Sequence, residues 1–402
     1  MMTPPSALPN IRLKPKSDAR RIRHGAPWAW ADELVLDRRT RGLRPGSLAI
    51  LEDADRRPLG LGIATVATKI AFRMLDRDAD AVIDAGWFAA RIGAALTLRN
   101  QCFDTPFYRL IHAEGDALPG LIVDRFGDTL VVQPNAIWLE ERLDLLTACL
   151  RDLTGCNTII KNGSGRARAA EGLADEMTVL TGTAPGGPIA VQMNGATYLA
   201  DVMGGQKTGL FYDQRPNHAF AASLARDGQV LDVFSHAGGF ALATLAAGAA
   251  GALAVDASAP ALDLAEGGAK AMGIGTCLTT RRGDAFAVME DLAGEGAGFD
   301  LVIADPPAFA PSKPALDKGL RAYERVARLA APLVTPGGVL ILCSCSHAAD
   351  LTRFRAACLR GIGRAGRVPR LIHTGFAGPD HPQHPDLTET GYLKVLAFRL
   401  LP

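Results

Sequence analysis

Two rhythms of apolar and polar positions follow one another along the chain. From Ile11 to about Asp76, short apolar runs (IRLKP, ELVLD, SLAILED, LGLGIATV and IAFRMLD) are separated by turn residues such as Pro45-Gly46 and the segment 53–58. Runs of this length between turn formers predict strands, and their close spacing predicts a small all-β barrel. A helical period over 87–101 comes next, followed by YRLIHAEG, GLIVDRFG and DTLVVQPN, each bounded by Gly, Pro or Asp, and by a predicted helix over 139–154. In VQMNGATYLAD the pair Asn194-Gly195 predicts a type I′ hairpin.

From Gly228 the rhythm becomes a regular alternation. VLDVF, ALAVD, a short strand near Leu278, DLVIAD and VLILCSCS are interleaved with an Ala-rich helix and with predicted helices over 259–272, 285–293 and 318–333. Apolar strands alternating with helices predict a parallel sheet covered on both faces, with a ligand at the carboxyl ends of the strands. The fold class expected is therefore α/β: a Rossmann-like domain over 191–402, preceded by an all-β barrel over 1–76 and an α+β middle domain over 77–190. The stretch 233–255 has no charged residue and is long enough to cross a bilayer. Its four glycines, its Ser-His pair and the flanking Asp232 and Asp256 predict instead a buried strand–helix–strand unit.

With 48% hydrophobic and 21% charged residues over 402 positions, the chain is neither disordered nor fibrous. Its net charge of +1 hides a division: residues 1–75 carry +7 and the remainder −6. A basic front end thus precedes a mildly acidic body. The seven cysteines, at 102, 149, 156, 277, 343, 345 and 358, form no C-x-x-C pair. They read as reduced thiols rather than a disulfide framework or a zinc site. MMTPPSALPN lacks the basic and apolar regions of a secretory signal, so a cytoplasmic protein without a membrane or metal partner is expected.

Each predicted strand end carries a polar or glycine-rich group. In VLDVFSHAGGFALATLAAGAAGALAVD, the strand end at Asp232–Phe234 is followed by the turn at Gly238-Gly239, and the next strand closes with Asp256. Glycines admit a close approach of backbone to ligand, and an acid at the second strand end can bond both ribose hydroxyls. The spacing departs from G-x-G-x-x-G and lacks a pyrophosphate cradle, which favours a nucleoside such as S-adenosylmethionine over NAD. Gly283-Asp284-Ala285 follows the third strand, where Asp284 can accept from an adenine amine or simply cap the next helix. FDLVIADPPAF delivers Asp305 into a loop stiffened by Pro306-Pro307, where its carboxylate can hold a flat base. GGVLILCSCS brings Cys345 to the mouth of the sheet. A thiolate there can add to C6 of a pyrimidine and make C5 nucleophilic; the alternative is a small core residue, the role expected of Cys343.

Together with LPGLIVDRFG, KTGLFYDQR and the terminal DHP…GYLK, these stretches resemble the RlmI-like family of bacterial 23S rRNA (cytosine-C5) methyltransferases, across nearly the whole chain. The resemblance implies a class I methyltransferase domain behind a PUA-like RNA-binding domain, with S-adenosylmethionine as cofactor and RNA as partner. It implies that Lys207, Thr208, Phe211, Asp213 and Arg215 border the cofactor, that Asp232, Phe234, Gly238, Asp256, Asp284 and Ala285 line it, and that Cys345 and Asp305 are catalytic. Within the basic segment, Lys14, Lys16, Arg20, Arg21 and Arg23 become candidate phosphate contacts, with Trp28 and Trp30 as stacking surfaces. Four positions depart from the family pattern. Ala308 stands where D-P-P-K-F has lysine, His236-Ala237 replaces a Tyr-Thr-like pair, and Cys343 adds a thiol. His381 and His384 lack ligands at metal spacing and read as part of a rigid loop. Two other readings stay open: methylation of an exocyclic amine of guanine or adenine with Phe309 stacking on the base, and an inactive RNA-binding assembly factor. The oligomeric state, monomer or homodimer, is open as well.

Overall fold

The computed structural model describes residues 8–165, 168–169, 171–204 and 209–401. Lys207 and Thr208 lie outside the described residues, as do the first seven, on which the signal-peptide expectation partly rests. The chain divides into two compact units, one running to Ala184 and including Pro382–Leu387, the other formed by Pro185–His381 and Thr388–Pro402.

The first unit holds two five-stranded sheets. Strands β1 (Asn10–Arg12), β2 (Trp28–Trp30), β3 (Ser47–Glu52), β4 (Pro58–Ala64) and β5 (Ile70–Asp76) are arranged β1-β3-β4-β5-β2. ELVLD, expected as a strand, contributes only the isolated bridge Leu34–Leu13. Its ends are taken by helical turns: Glu33 accepts from the Trp30 amide at 2.8 Å, and Asp37 caps the turn Arg38–Arg41. The Trp-Ala-Trp segment, by contrast, pairs with β5 as a strand. The second sheet, β6 (Phe107–His112), β7 (Leu121–Phe126), β8 (Thr129–Pro134), β9 (Thr158–Asn162) and β10 (Met177–Thr181), packs on the helices Ala85–Cys102 and Leu143–Thr154. The helix predicted over 139–154 breaks at Glu141-Arg142, because Ile137–Glu140 forms a separate turn that buries Trp138.

In the second unit, the hairpin β11 (Ile189–Met193) and β12 (Ala196–Ala200) turns at Asn194 and Gly195, with φ of +55° and +74°, as a type I′ turn requires. The remaining strands are β13 (Gln229–Val233), β14 (Gly251–Asp256), β15 (Leu278–Arg282), β16 (Phe299–Ala304), β17 (Val334–Ser344), β18 (Val368–Gly375) and β19 (Lys394–Leu401). They form one sheet ordered β15-β14-β13-β16-β17-β19-β18, parallel except for β19, which runs antiparallel to both neighbours. The uncharged stretch 233–255 is a strand end, the helix Gly239–Ala246 and β14, as its flanking acids predict. Among the described residues no helix is long and apolar enough to cross a membrane. The chain leaves β13 in one direction for β14 and later returns on the other side for β16, so the topological switch point lies between β13 and β16.

Candidate active site

The sheet order sets the predicted site residues side by side. Reading across adjacent strand ends gives Asp284 after β15, Asp256 on β14, Asp232 on β13, Asp305 after β16 and Cys345 after β17. Register then separates them in depth. Asp232 is level with Ala254 and Ile303, so Asp256 and Asp305 stand two residues further toward the mouth, about 7 Å at the usual strand rise.

Depth decides their chemistry. Asp232 is fully buried; one carboxylate oxygen accepts from the Ala241 amide at 2.9 Å and the other has no partner among the described residues. Burial first, then the nearby Asp305 and Asp256 charges, push its pKa up to about 7, against the pull of the Ala241 amide. Asp256 lies nearer solvent, accepting from the amides of His236 at 2.9 Å and Ser258 at 2.8 Å. Asp284 is exposed and caps the helix Ala285–Gly294 by accepting from the Phe286 and Ala287 amides; Ala285 is buried.

The glycine turn is a tight, left-handed passage. Phe234, His236 and Gly238 all have positive φ (63°, 49° and 75°), and a Cβ on Gly238 would lie 2.9 Å from the Ala265 Cβ. Buried Ser235 leaves its hydroxyl without a partner here among the described residues. The His236 ring meets Phe211 edge-on at 5.0 Å, which fills the place of the Tyr-Thr-like pair with an aromatic contact. Phe234 packs edge-on against Phe286 and Phe309. Of the other predicted cofactor neighbours, Asp213 accepts from the Tyr392 hydroxyl at 2.7 Å, and the Arg215 guanidinium lies 5.6 Å over the Tyr212 ring.

At the Cys345 end of the row, Asp305 accepts from the Gln214 amide at 2.9 Å, and Gln214 in turn accepts from Asn217 at 2.7 Å. That chain fixes which end of the Gln214 amide faces the carboxylate. Cys345 follows directly on the end of β17, half-buried, with its Sγ 4.0 Å from the Pro306 carbonyl oxygen. Cys343, one turn of the pleat inward, is buried, and burial raises its thiol well above the ordinary range. Ala308 is exposed and Phe309 half-buried, the latter clustered with Phe234, Phe286 and Tyr323.

Several residues of this site escape the sequence reading. Gln214 and Asn217 lie within or just beyond KTGLFYDQR, where Lys207, Thr208, Phe211, Asp213 and Arg215 draw the notice instead. Tyr323 and Ser346 share a 2.7 Å hydrogen bond, and Ser346 accepts from the Ala310 amide, tying the Cys345 turn to the loop after Asp305. Lys394 is buried at the start of β19; a lone lysine heading the apolar run VLAFRLL was the available signal.

The predicted phosphate contacts differ among themselves. Arg21 pairs with Glu33 at 3.1 Å and Arg23 with Asp53, while Lys14 donates to the Asp32 carbonyl. Lys16 and Arg20 are exposed and form no ion pair among the described residues. Trp28 and Trp30 pack edge-on at 5.8 Å, and the Trp28 indole donates to Glu114. Near the C-terminus, buried His381 bonds Asp380 at 2.9 Å, and His384 accepts from the Asp386 amide. No cluster able to hold a metal occurs among the described residues.

Counted along the unit, the strand order is 3-2-1-4-5-7-6 with an antiparallel seventh strand, the sheet of a class I methyltransferase. The profile of the S-adenosylmethionine-dependent methyltransferases matches residues 127–399, and that of the PUA-like domain matches residues 11–77. A ribosomal RNA large subunit methyltransferase of Deinococcus radiodurans is 33% identical over 100% of both chains. The ribosomal RNA large subunit methyltransferase I of Shewanella denitrificans is 32% identical over 97% of this chain and 99% of its own. A solved methyltransferase complexed with SAH superimposes with a TM-score of 0.83 at 17% identity, covering 98% of this chain and all of that one. The chain belongs to the S-adenosylmethionine-dependent ribosomal RNA large subunit methyltransferase family.

The residues present fit that cofactor. Among the described residues, one oxygen of buried Asp232 and the Ser235 hydroxyl have no partner, and with the turn at Gly238 they leave polar groups and backbone bare beside β13. Asp256 would hold the ribose, and Asp284 would accept from the adenine amine with the oxygen not used as a cap.

Proposed function

We propose that this protein methylates C5 of a cytosine in 23S rRNA through a covalent adduct of Cys345. The observation that carries the reading is the placing of the Cys345 thiol beside the loop that follows Asp305, with Sγ 4.0 Å from the Pro306 carbonyl. C5 of cytosine is unreactive until a nucleophile adds to C6. Cys345 supplies that nucleophile, while Asp305, oriented by Gln214, accepts from the exocyclic amine and holds the ring in plane. The bound cofactor supplies an electrophilic methyl group on a sulfonium. Loss of the C5 proton to a base then expels the Cys345 thiolate and restores the ring. Methylation of an exocyclic amine needs no thiol, and the aromatic it requires, Phe309, is engaged with three other rings.

The cofactor neighbours are assigned as Phe211, Asp213, Arg215, Asp232, Phe234, Gly238, Asp256, Asp284 and Ala285. Lys16 and Arg20 supply the free phosphate contacts of the PUA-like domain. The test is Cys345→Ala with undermethylated 23S rRNA and labelled cofactor, followed by mass spectrometry of the digested RNA. Wild type should yield 5-methylcytidine, and the variant should bind cofactor yet transfer no methyl group. Full activity of the variant, or an N-methyl purine as product, refutes the reading.

A further inference from the structure

The turn that presents Cys345 is gripped from below by a charge that the scheme above leaves unused. Lys394 opens β19 opposite Ser344 of β17 and is only 4% exposed. Its ammonium donates at 2.7 Å to the carbonyls of Ser346 and Tyr392, both neutral, and forms no ion pair among the described residues. An ammonium withdrawn from water without an anion is costly, and a fold that keeps one has a nearby negative charge to match. Burial pulls its pKa down to about 8, while the charges of Cys345 and Asp350 act in the opposite sense. Asp350 is exposed and already caps the helix Leu351–Arg364 by accepting from the Arg353 amide. Cys345, by contrast, lies between Ser344, which pairs with Lys394 across the sheet, and Ser346, whose carbonyl takes the ammonium.

We propose that Lys394 is the buried counter-cation of Cys345, a positioning residue that fixes the turn through the Ser346 carbonyl and raises the thiolate fraction by its charge. The proposal rests on the reading of Cys345 as nucleophile. The thiol proton goes to water, and Lys394 keeps its own. The other titratable groups around the turn are the acids Asp305, beyond Pro306, Cys343 on β17 and Tyr323 from the helix Leu316–Ala330, together with exposed His347.

The test is alkylation of Cys345 by iodoacetamide across the range from about pH 6 to 10 in the full-length protein, followed by mass spectrometry of its peptide. Lys394→Met should react about tenfold more slowly near pH 7, its profile moved up by about one unit. Lys394→Arg, which retains the charge, should stay within about threefold of wild type. Identical profiles for wild type and K394M overturn the proposal. Equal slowing in K394M and K394R also overturns it, since shape rather than charge would then matter. Circular dichroism and S-adenosylhomocysteine binding verify folding. Should K394M not fold, the wild-type profile decides: an inflection below the value of about 8.5 for free cysteine supports the proposal, and one at or above it does not. Methyl transfer by a Cys345→Ser variant would remove the nucleophile reading instead, and the alkylation profile would still judge the role of Lys394.

Discussion

Asp232→Asn should make this enzyme more stable at high pH while weakening its hold on a cationic cofactor. The folded state binds the Asp232 proton more tightly than the unfolded chain does, its pKa rising from 3.8 to about 7. Stability from that proton is complete below the unfolded value and is lost as pH rises through about 7. The shift corresponds to a penalty of about 4 kcal/mol at pH 8.5 and roughly half that at pH 5.5. Asparagine carries no charge at either pH, retains an acceptor for the Ala241 amide, and leaves its other polar atom as unpaired as the carboxylate oxygen it replaces. All four tryptophans, at 28, 30, 87 and 138, belong to the first unit, so indole fluorescence does not report on β13. Hydrogen exchange of the peptide spanning Gln229–Val233 does. We expect the opening free energy of D232N to exceed that of wild type at pH 8.5 by up to about 4 kcal/mol, and the gap to shrink by about 2 kcal/mol at pH 5.5. A gap that does not change with pH, or a variant less stable at pH 8.5, refutes the assignment of a raised pKa. In calorimetry, S-adenosylmethionine should bind wild type more tightly as pH rises through 7, and D232N should lose that dependence; neutral S-adenosylhomocysteine should show little of it in either protein.

Gly238→Ala should cost about 1–2 kcal/mol from the left-handed backbone alone and weaken S-adenosylhomocysteine binding further, because the added carbon meets Ala265; melting and calorimetry measure both. Tyr323→Phe removes the hydrogen bond to Ser346, at about 1 kcal/mol, and should lower kcat while leaving cofactor affinity intact. Arg99→Met leaves buried Asp116 without its two-pronged partner, and urea unfolding followed by tryptophan fluorescence should show a loss of about 3–5 kcal/mol. Lys16→Ala and Arg20→Ala should each flatten the salt dependence of RNA binding by about one unit of log–log slope. A stability loss in either, or an unchanged slope, counts against them as phosphate contacts.

The architecture was largely legible because it rests on local rules that agree. Alternation of strand and helix from Gly228 predicts the parallel sheet, and Asn194-Gly195 predicts the separate hairpin before it to the residue. Misreadings arose where a short polar side chain outbid an apolar run. In ELVLD, Glu33 and Asp37 bond nearby amides and wind the chain into helical turns, while Trp-Ala-Trp takes the edge of the sheet by pairing with β5. Local competition of this kind depends on which amides lie within reach, and periodicity does not encode it.

Among the strand-end acids the sequence separates Asp256, closing the second strand, and Asp305, followed by Pro-Pro, by their neighbours. It carries no sign of how deep Asp232 lies. Register assigns them different work, since a shift of two residues separates an acid sealed under the glycine turn from two at the rim. The deeper one holds its proton near neutrality, whereas Asp256 and Asp305 at the rim accept from the His236 and Ser258 amides and from Gln214. The same distinction explains why Lys394 escapes notice. A lysine heading a strand reads as an exposed end, yet β19 runs antiparallel and so enters the sheet at its mouth, directly under the turn that ends β17. Reversal of one strand converts an apparent surface residue into a buried charge beneath the turn that carries Cys345.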